Sequence, residues 1–285
     1  MSNAVQFGTC SWKFPSWEGL VYSAADDINY LEEYARVFDT VEIDQWFWSL
    51  FGLDTVSLPK PETVAEYLSS VPESFRFSIK APNSITLTHV YKRSRKDPNA
   101  PNPHFLSPEL TSRFLSLIEP MREQTSVVMF QFEYLNKQKM RDRASFLAYL
   151  DGFFASLPGG WTCGIEPRNP QYLERDYFEL LRRHGISHVF CQGYYMPPVQ
   201  KIYPQVADLL VSPVVIRLMG PDRAEIERKT GKRWDAAVDP RDEDLAGIAD
   251  VVEDMLARGQ QVIVNVNNHY EGSAPITIRK LRDIL

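Results

Sequence analysis

Cysteine and histidine are scarce in this chain of 285 residues, which has 3 cysteines and 5 histidines. Cys10, Cys163 and Cys191 each fall in a predicted strand, and no two of them have C-x-x-C spacing. An odd number of such cysteines indicates reduced, buried thiols rather than a disulfide framework or a zinc site. We therefore expect a cytoplasmic protein whose fold depends on its core.

Positive charge and long apolar runs are also lacking. Lysine and arginine number 31 against 37 aspartates and glutamates, and the net charge of −6 argues against general nucleic-acid binding. No apolar run approaches the roughly 20 residues that span a bilayer, so we expect no membrane contact. The polar start "MSNAVQ" does not resemble a signal peptide, which also favours a cytoplasmic location.

Strand-like and helix-like segments, by contrast, alternate eight times. The predicted strands are Val5–Cys10, Thr40–Asp44, Phe75–Ala81, Ser126–Phe132, Trp161–Glu166, Ser187–Gln192, Val214–Met219 and Gln261–Asn267. The amphipathic segments that follow them are Tyr30–Phe38, Glu62–Ser70, Pro108–Arg122, Arg141–Leu157, Glu174–His184, Pro204–Leu210, Asp244–Arg258 and Pro275–Leu285. Eight such units predict an α/β fold, a single (β/α)8 TIM barrel over residues 1–285. A doubly wound sheet usually has a G-x-G-x-x-G turn after its first strand, and "GTCSWKFPSW" has none.

Three connections after strands are longer than barrel turns require: Gln45–Pro61, Pro82–Ser107 and Gly193–Tyr203. In a barrel they would lie at the carboxyl ends of the strands, where such proteins bind ligands. The second connection contains the basic run "YKRSRK" at residues 91–96. This run is typical of a solvated loop, but a lid over an anionic ligand and a local nucleic-acid contact both remain open.

The alternation of side chains along the strands predicts a polar interior. Residues that pack outward beneath helices should be large and apolar, as Val41, Ile43, Phe77 and Ile79 are. The residues of opposite parity then point inward. They are three acids, three bases and four amides: Glu42, Asp44, Lys80, Gln131, Glu166, Arg168, Gln192, Arg217, Asn265 and Asn267. Because its acids and bases balance, the cluster is compatible with burial, and most members lie toward the carboxyl ends of their strands. We predict a binding site there.

The charged residues of this set suggest proton transfer and anion binding. Glu42 and Glu166 are candidate acid–base groups, unless arginines merely neutralise them. Lys80 is a third catalytic candidate; it would form a Schiff base only if desolvated, and a salt-bridged lysine is the favoured alternative. Arg168 and Arg217 would bind phosphate or carboxylate, and we expect their replacement by methionine to cost little stability.

A metal or other cofactor is not expected. Only His89 and His269 fall near the predicted site face, and three inward cations would compete with a metal ion. The aromatic residues Trp12, Trp46, Trp48 and Tyr270 would either form a wall for stacking a ligand or pack the loops of the rim.

The ordered motifs resemble those of the YecE-like family, also called domain of unknown function 72. The resemblance rests on Gly8-Thr9 with Trp12, "TVEID" at 40–44, "SITLTH" ending at His89, Gln131-Phe132, "EPRNP" at 166–170, Arg217 with Gly220, and "NVNNHYEGSAP" at 265–275. It implies a TIM barrel and adds Trp12, His89, Asn268, His269 and Tyr270 to the substrate-binding candidates. Most members resemble Asn-x-Thr-Phe-Tyr where this chain has Asp44 to Trp48, and they have a histidine where it has Met219.

Together these features predict an enzyme that uses acid–base chemistry on a small anionic or polyhydroxylated metabolite. The alternatives are a barrel that binds such a ligand without turnover and a nucleic-acid processing enzyme. The sequence leaves the oligomeric state open.

Overall fold

Eight parallel strands form one sheet that closes on itself in the computed structural model, which describes residues 5–24, 27–53, 55–91 and 100–285. The strands are β1 Val5–Thr9, β2 Thr40–Ile43, β3 Arg76–Lys80, β4 Thr125–Gln131, β5 Cys163–Glu166, β6 Ser187–Gly193, β7 Val214–Gly220 and β8 Val262–Val266. Their order is β1-β8-β7-β6-β5-β4-β3-β2, so each strand pairs with its neighbours in the chain. The predicted eight-stranded barrel is confirmed.

The two ends of the sheet meet at a single point. Cys10, just after β1, forms a parallel bridge with Glu42 of β2, and the Ser11 amide donates to the Glu42 carbonyl at 3.1 Å. Gly8 makes this approach possible, because a Cβ atom at that position would lie 2.2 Å from the Thr40 carbonyl oxygen. The barrel therefore closes where β1 has no side chain to keep β2 away.

Helices connect the strands. In the described part of the chain they are α1 Tyr30–Tyr34, α2 Pro61–Ser69, α3 Asn83–Thr86, α4 Pro108–Leu117, α5 Arg143–Ser156, α6 Arg175–His184, α7 Val199–Val206, α8 Arg223–Thr230, α9 Asp242–Ala257 and α10 Ala274–Ile284, with 3-10 turns at Pro15–Trp17, Glu119–Gln124 and Pro170–Tyr172. Seven agree with the predicted segments to within a few residues. The predicted helix Pro204–Leu210 is wrong in extent, because α7 begins at Val199 and contains Pro204. Helices α3 and α8 were not predicted.

The predicted alternation of side chains holds on the strands that carried it. Outward residues such as Val41, Phe77 and Val264 join the large core between the sheet and the helices. At the bottom of the barrel, the inward residues form a separate apolar cluster of Val127, Met129, Val189, Val215 and Ile263. This cluster fills the lower interior, so the polar residues above it face only the carboxyl ends of the strands.

Gln192 was predicted to point inward, and this is wrong. Its amide nitrogen donates to Asp244 of α9 at 2.7 Å, and its amide oxygen accepts from the Val199 amide at 2.8 Å. Strand β6 is apolar on both faces, with Val189 inside and Phe190 outside, so its parity could not be read from hydrophobicity.

The basic run at 91–96 lies outside the described residues, apart from Tyr91. Among the described helices, none is both long enough and apolar enough to cross a membrane.

Candidate active site at the carboxyl ends of the strands

A cavity of about 300 Å³ opens at the carboxyl ends of the strands. Seven of the sequence-predicted site residues line it: Asp44, Lys80, Gln131, Arg168, Arg217, Asn267 and His269. They come from β3, β4 and β7 and from positions just beyond the ends of β2, β5 and β8, as expected when the carboxyl ends of parallel strands surround one opening.

Arg217 occupies the floor of this cavity and is 1% exposed. Its Nε and Nη2 donate to the two carboxylate oxygens of Glu42 at 2.7 and 2.6 Å, a bidentate pair. Its Nη1 donates to Glu166 Oε2 at 2.5 Å and to Gln131 Oε1 at 3.1 Å. Because every nitrogen of the guanidinium has a protein acceptor, Arg217 joins β2, β4, β5 and β7 across the barrel.

Glu42 and Glu166 are both fully buried beneath the cavity. Burial alone would raise the pKa of Glu166, but the positive charges of Arg168 and Arg217 outweigh it and lower that pKa. The alternative in which the arginines neutralise these two acids therefore describes the geometry better than acid–base catalysis by either of them.

Arg168 differs from Arg217 in keeping a free donor. One terminal nitrogen forms an ion pair with Glu166 and lies 3.4 Å from Gln131 Oε1. Its guanidinium lies over the ring of Tyr194, 4.9 Å from the centroid, and its Nε is buried without a hydrogen-bond partner. A ligand oxygen that reached Nε would satisfy a donor that the protein leaves unpaired.

Lys80 also lines the cavity, and it is 8% exposed. Its Nζ lies 3.8 Å from the centroid of the Phe47 ring, and it makes no ion pair with any described residue. Burial and the nearby charge of Arg217 lower the pKa of Lys80, although Glu42, Glu166 and Asp44 oppose this shift. The prediction of a salt-bridged lysine is thus wrong for the described residues. Lys80 is instead buried against the Phe47 ring.

Two acids line the cavity, Asp44 and Glu133, and Glu133 forms an ion pair with Lys139. Ile43 pairs with Ile79 in register, so the next residues, Asp44 and Lys80, lie side by side. Adjacent strands are about 4.8 Å apart. Burial and the negative charge of Glu42 raise the pKa of Asp44. Asp44 and Lys80 are therefore the ionisable pair that lines the cavity without a strong ion pair.

The loop after β8 supplies another part of the wall. Asn267 Oδ1 accepts from the His269 backbone amide at 2.9 Å and lies 2.5 Å from His269 Nδ1. His269 Nε2 lies 3.3 Å from Glu227 Oε1, on α8. Burial lowers the pKa of His269 and favours the neutral ring.

Five other predicted site residues lie away from the cavity wall. Asn265 is buried below, with both amide atoms unpartnered, and Asn268 accepts from the Ala274 amide at 2.9 Å. His89 contacts the Thr88 hydroxyl at 3.0 Å, and Trp12 packs edge-on against Tyr67 at 5.0 Å. Tyr270 donates to Asp244 Oδ2 at 2.5 Å, on the helix side of β8. A shared motif identified these segments but not the direction of each side chain.

Sequence reasoning missed several residues of the wall. These are Phe47, Tyr91, Glu133, Tyr194 and Arg223. The long loops after β2, β3 and β6 carry three of them, and those loops were predicted to lie at this face. Tyr194 directly follows Gly193 in a positive-φ turn, which a sequence pattern does not reveal. Trp48 is 62% exposed and is the only member of the proposed aromatic wall that lines this cavity.

Across the described ranges, no group of three or more His, Cys, Asp or Glu side chains is arranged to hold a metal ion. The absence of a metal or other cofactor stays a prediction. A cytoplasmic location and the expectation that nucleic acid is not bound are likewise predictions that the structure does not test.

Eight βα units around a closed parallel sheet define a (β/α)8-barrel protein, and its polar cavity lies at the carboxyl ends of the strands, where ligand sites of that fold usually lie. The family model "Protein of unknown function DUF72" matches residues 6–285, and the chain belongs to this family.

Known relatives agree with this assignment. The chain is 27% identical over 186 residues to UPF0759 protein YecE of Escherichia coli (strain K12), a match that covers 64% of this chain and 55% of YecE. The chain thus spans about half the length of that curated relative.

Two solved DUF72 family proteins are similar in structure. That of Enterococcus faecalis V583 has a TM-score of 0.69 at 20% identity and covers 99% of this chain and 95% of its own. That of Thermotoga maritima MSB8 has a TM-score of 0.68 at 23% identity and covers 98% of each chain. At these identities the similarity shows the fold alone.

Proposed function

We propose that the protein is an enzyme that uses Lys80 and Asp44 as an acid–base pair on a small anionic or polyhydroxylated metabolite. The observation that carries the proposal is the pair itself. The two side chains face one cavity from adjacent strands, and neither forms an ion pair with another residue in the described part of the chain. Burial shifts both pKa values toward neutrality, that of Lys80 downward and that of Asp44 upward.

These shifts favour the forms that exchange protons. A neutral lysine accepts a proton and a neutral aspartic acid donates one, and catalytic efficiency increases as the pKa of each approaches the working pH. Enzymes commonly produce such shifts by burial, which disfavours the charged form. Glu42 and Glu166 then have a supporting role, since they hold Arg217 and Arg168 in place.

The rest of the wall fits a small, polar ligand. Arg168 Nε is an unpartnered donor suited to a carboxylate or phosphate oxygen, and Glu133 Oε1 is a buried acceptor without a partner, suited to a hydroxyl. Trp48 presents an exposed ring at the mouth, where a sugar ring could stack. A cavity of about 300 Å³ accommodates a metabolite of modest size.

The test begins with a thermal-shift screen of sugar acids, sugar phosphates and hydroxy acids, followed by turnover assays on the compounds that bind. Lys80→Met and Asp44→Asn should each reduce kcat by about 100-fold or more, because general acid–base groups contribute roughly that much. The matched controls are Lys201→Met and Asp250→Asn, on exposed faces of α7 and α9, which should leave kcat unchanged.

The outcomes separate the proposal from its alternative. Binding without turnover by any compound would favour a barrel that binds the ligand without catalysis. Turnover that survives both substitutions in the cavity would refute the acid–base assignment.

A further inference from the structure

Lys80 has features that proton transfer alone does not require. Its amine is held against the face of the Phe47 ring, 3.8 Å from the centroid, in a cavity that is open to a small molecule. Within the described part of the chain, no carboxylate lies within ion-pair distance of its Nζ. An amine in this setting is free to attack an electrophile, because no partner has to be displaced first.

We infer that Lys80 forms a covalent Schiff base with a carbonyl substrate, a small ketone or aldehyde that carries hydroxyl or carboxylate groups. The inference rests on the proposed function and deepens it by naming the substrate class. The chemical requirements are a neutral amine, a proton donor and a site for the polar end of the substrate, and residues of the same cavity provide each of them.

The first requirement is a neutral amine. Burial and Arg217 lower the pKa of Lys80, which increases the fraction of neutral amine at neutral pH. The Phe47 ring adds no formal negative charge, although its face favours the ammonium form, as do the carboxylates of Glu42, Glu166 and Asp44.

The second requirement is a proton donor. Lys80 Nζ attacks the carbonyl carbon, a C–N bond forms, and the carbonyl oxygen takes the proton of the Asp44 carboxylic acid. The resulting ammonium returns a proton to Asp44, which passes it to the carbinolamine hydroxyl. The C–O bond then breaks, water leaves and the nitrogen lone pair forms the C=N bond. These steps leave an iminium ion and the Asp44 carboxylate, and return of the N–H proton to Asp44 gives the neutral imine and restores the acid. Amine and carbonyl thus give imine and water, and no oxidant or further reactant is needed.

The third requirement is a place for the rest of the substrate. Arg168 Nε is buried in the wall without a partner and faces no competing protein acceptor. A carboxylate or hydroxyl elsewhere on the substrate would pair with Arg168 while the carbonyl meets Lys80, since both side chains line this cavity. Arg217 cannot take this role, because Glu42, Glu166 and Gln131 already occupy its donors.

Reductive trapping tests the inference on the whole, unmodified protein. We would incubate it at pH 6.5 with sodium cyanoborohydride and one of two probes, pyruvate for an anionic ketone and dihydroxyacetone for a polyhydroxylated one. Peptide mass mapping then compares adducts on Lys80 and on the exposed Lys201 of the same sample. With at least one probe, Lys80 should carry about tenfold more adduct than Lys201, since an activated, desolvated amine reacts faster than an exposed, protonated one.

Two further measurements strengthen the comparison. The excess of adduct on Lys80 should be at least as large at pH 6 as at pH 8, because a lowered pKa leaves more of its amine neutral than that of an exposed lysine at every pH in this range. Asp44→Asn should reduce trapping at Lys80 and leave Lys201 unchanged. The Lys80-to-Lys201 ratio is measured in a single sample, and the circular dichroism of Asp44→Asn must match that of the unmodified protein, because an unfolded variant would expose Lys80 and lower the ratio by itself.

The inference is overturned if neither probe modifies Lys80 more than Lys201. That failure is distinct from failure of the proposed function. If turnover still depends on Lys80 and Asp44 while trapping fails, Lys80 transfers protons without forming a covalent bond. If turnover depends on neither residue, the proposed function itself is wrong.

Discussion

Arg217→Met should strongly destabilise the protein, contrary to the expectation from sequence that this change costs little. Arginine at this position satisfies four oxygen contacts, with Glu42 at 2.7 and 2.6 Å, Glu166 at 2.5 Å and Gln131 at 3.1 Å. Methionine would fill the volume of the stem but leave two buried carboxylates without their main cation. Breaking a buried ion pair in this way costs about 3–5 kcal/mol.

The size of this loss matters because a domain typically has only about 5–15 kcal/mol of stability in total. Urea unfolding at pH 7 would measure it, with Arg113→Met as the matched control. Arg113 is exposed on α4, so its replacement should change the free energy of unfolding by less than about 0.5 kcal/mol. Arg168→Met should fall between the two, at about 2 kcal/mol, because it removes one ion pair of a less buried side chain.

A double variant separates ion-pair loss from packing loss. Adding Glu42→Gln to Arg217→Met removes one of the uncompensated carboxylates, so the double variant should recover at least about 1 kcal/mol. A loss below about 1 kcal/mol for Arg217→Met, or no recovery in the double variant, would refute the view that Arg217 holds the buried ion pairs of the barrel together.

Three other changes have defined outcomes. Lys80→Met should raise the free energy of unfolding by roughly 1 kcal/mol in urea, since it removes a desolvated amine from an aromatic contact, and a loss of stability would contradict this. Because the pKa of Glu166 is lowered in the fold, its ion pairs stabilise the protein above the unfolded pKa of 4.5, and this stabilisation is lost as the pH falls below 4.5. Glu166→Gln should therefore flatten the decline of Tm below pH 4.5. An unchanged slope would show that Glu166 does not cause the acid destabilisation. Gly8→Ala should cost about 1–3 kcal/mol by forcing β1 away from Thr40, while Gly159→Ala, in open space, should cost much less.

The barrel was predictable because its signals are local. Strands and helices alternate in a pattern that a single sequence contains, and the outward parity of β2, β3, β4, β7 and β8 is apolar. Parity failed for Gln192, since β6 is buried on both faces and hydrophobicity no longer distinguishes them. The predicted extent of α7 is wrong because proline is typical of the first turn of a helix, whereas Pro204 lies within α7.

The site was predictable as a set of residues but not as a set of pairs. Parity brings Glu42, Lys80, Glu166 and Arg217 into one interior, yet long side chains reach across the barrel to partners on strands that are not adjacent. Which acid meets which cation depends on side-chain reach and on the height of each residue in the barrel. Those quantities come from the register of all eight strands together, and no single segment of sequence contains them.

The positions where this chain departs from the commoner family pattern now acquire a physical meaning. Met219, where the resemblance implies a histidine, packs its sulfur 3.9 Å from Cys10 in an apolar cluster with Cys191, so position 219 itself carries no proton-transfer group. Asp44, where the resemblance implies asparagine, places a carboxyl group with a raised pKa beside Lys80. Around the same cavity, this chain thus lacks the histidine at position 219 and has a carboxyl group at position 44 instead of an amide. Since an asparagine at position 44 would donate no proton, the acid–base pair proposed here belongs to chains that share Asp44, and the reaction of this subgroup should differ from that of relatives with asparagine at this position.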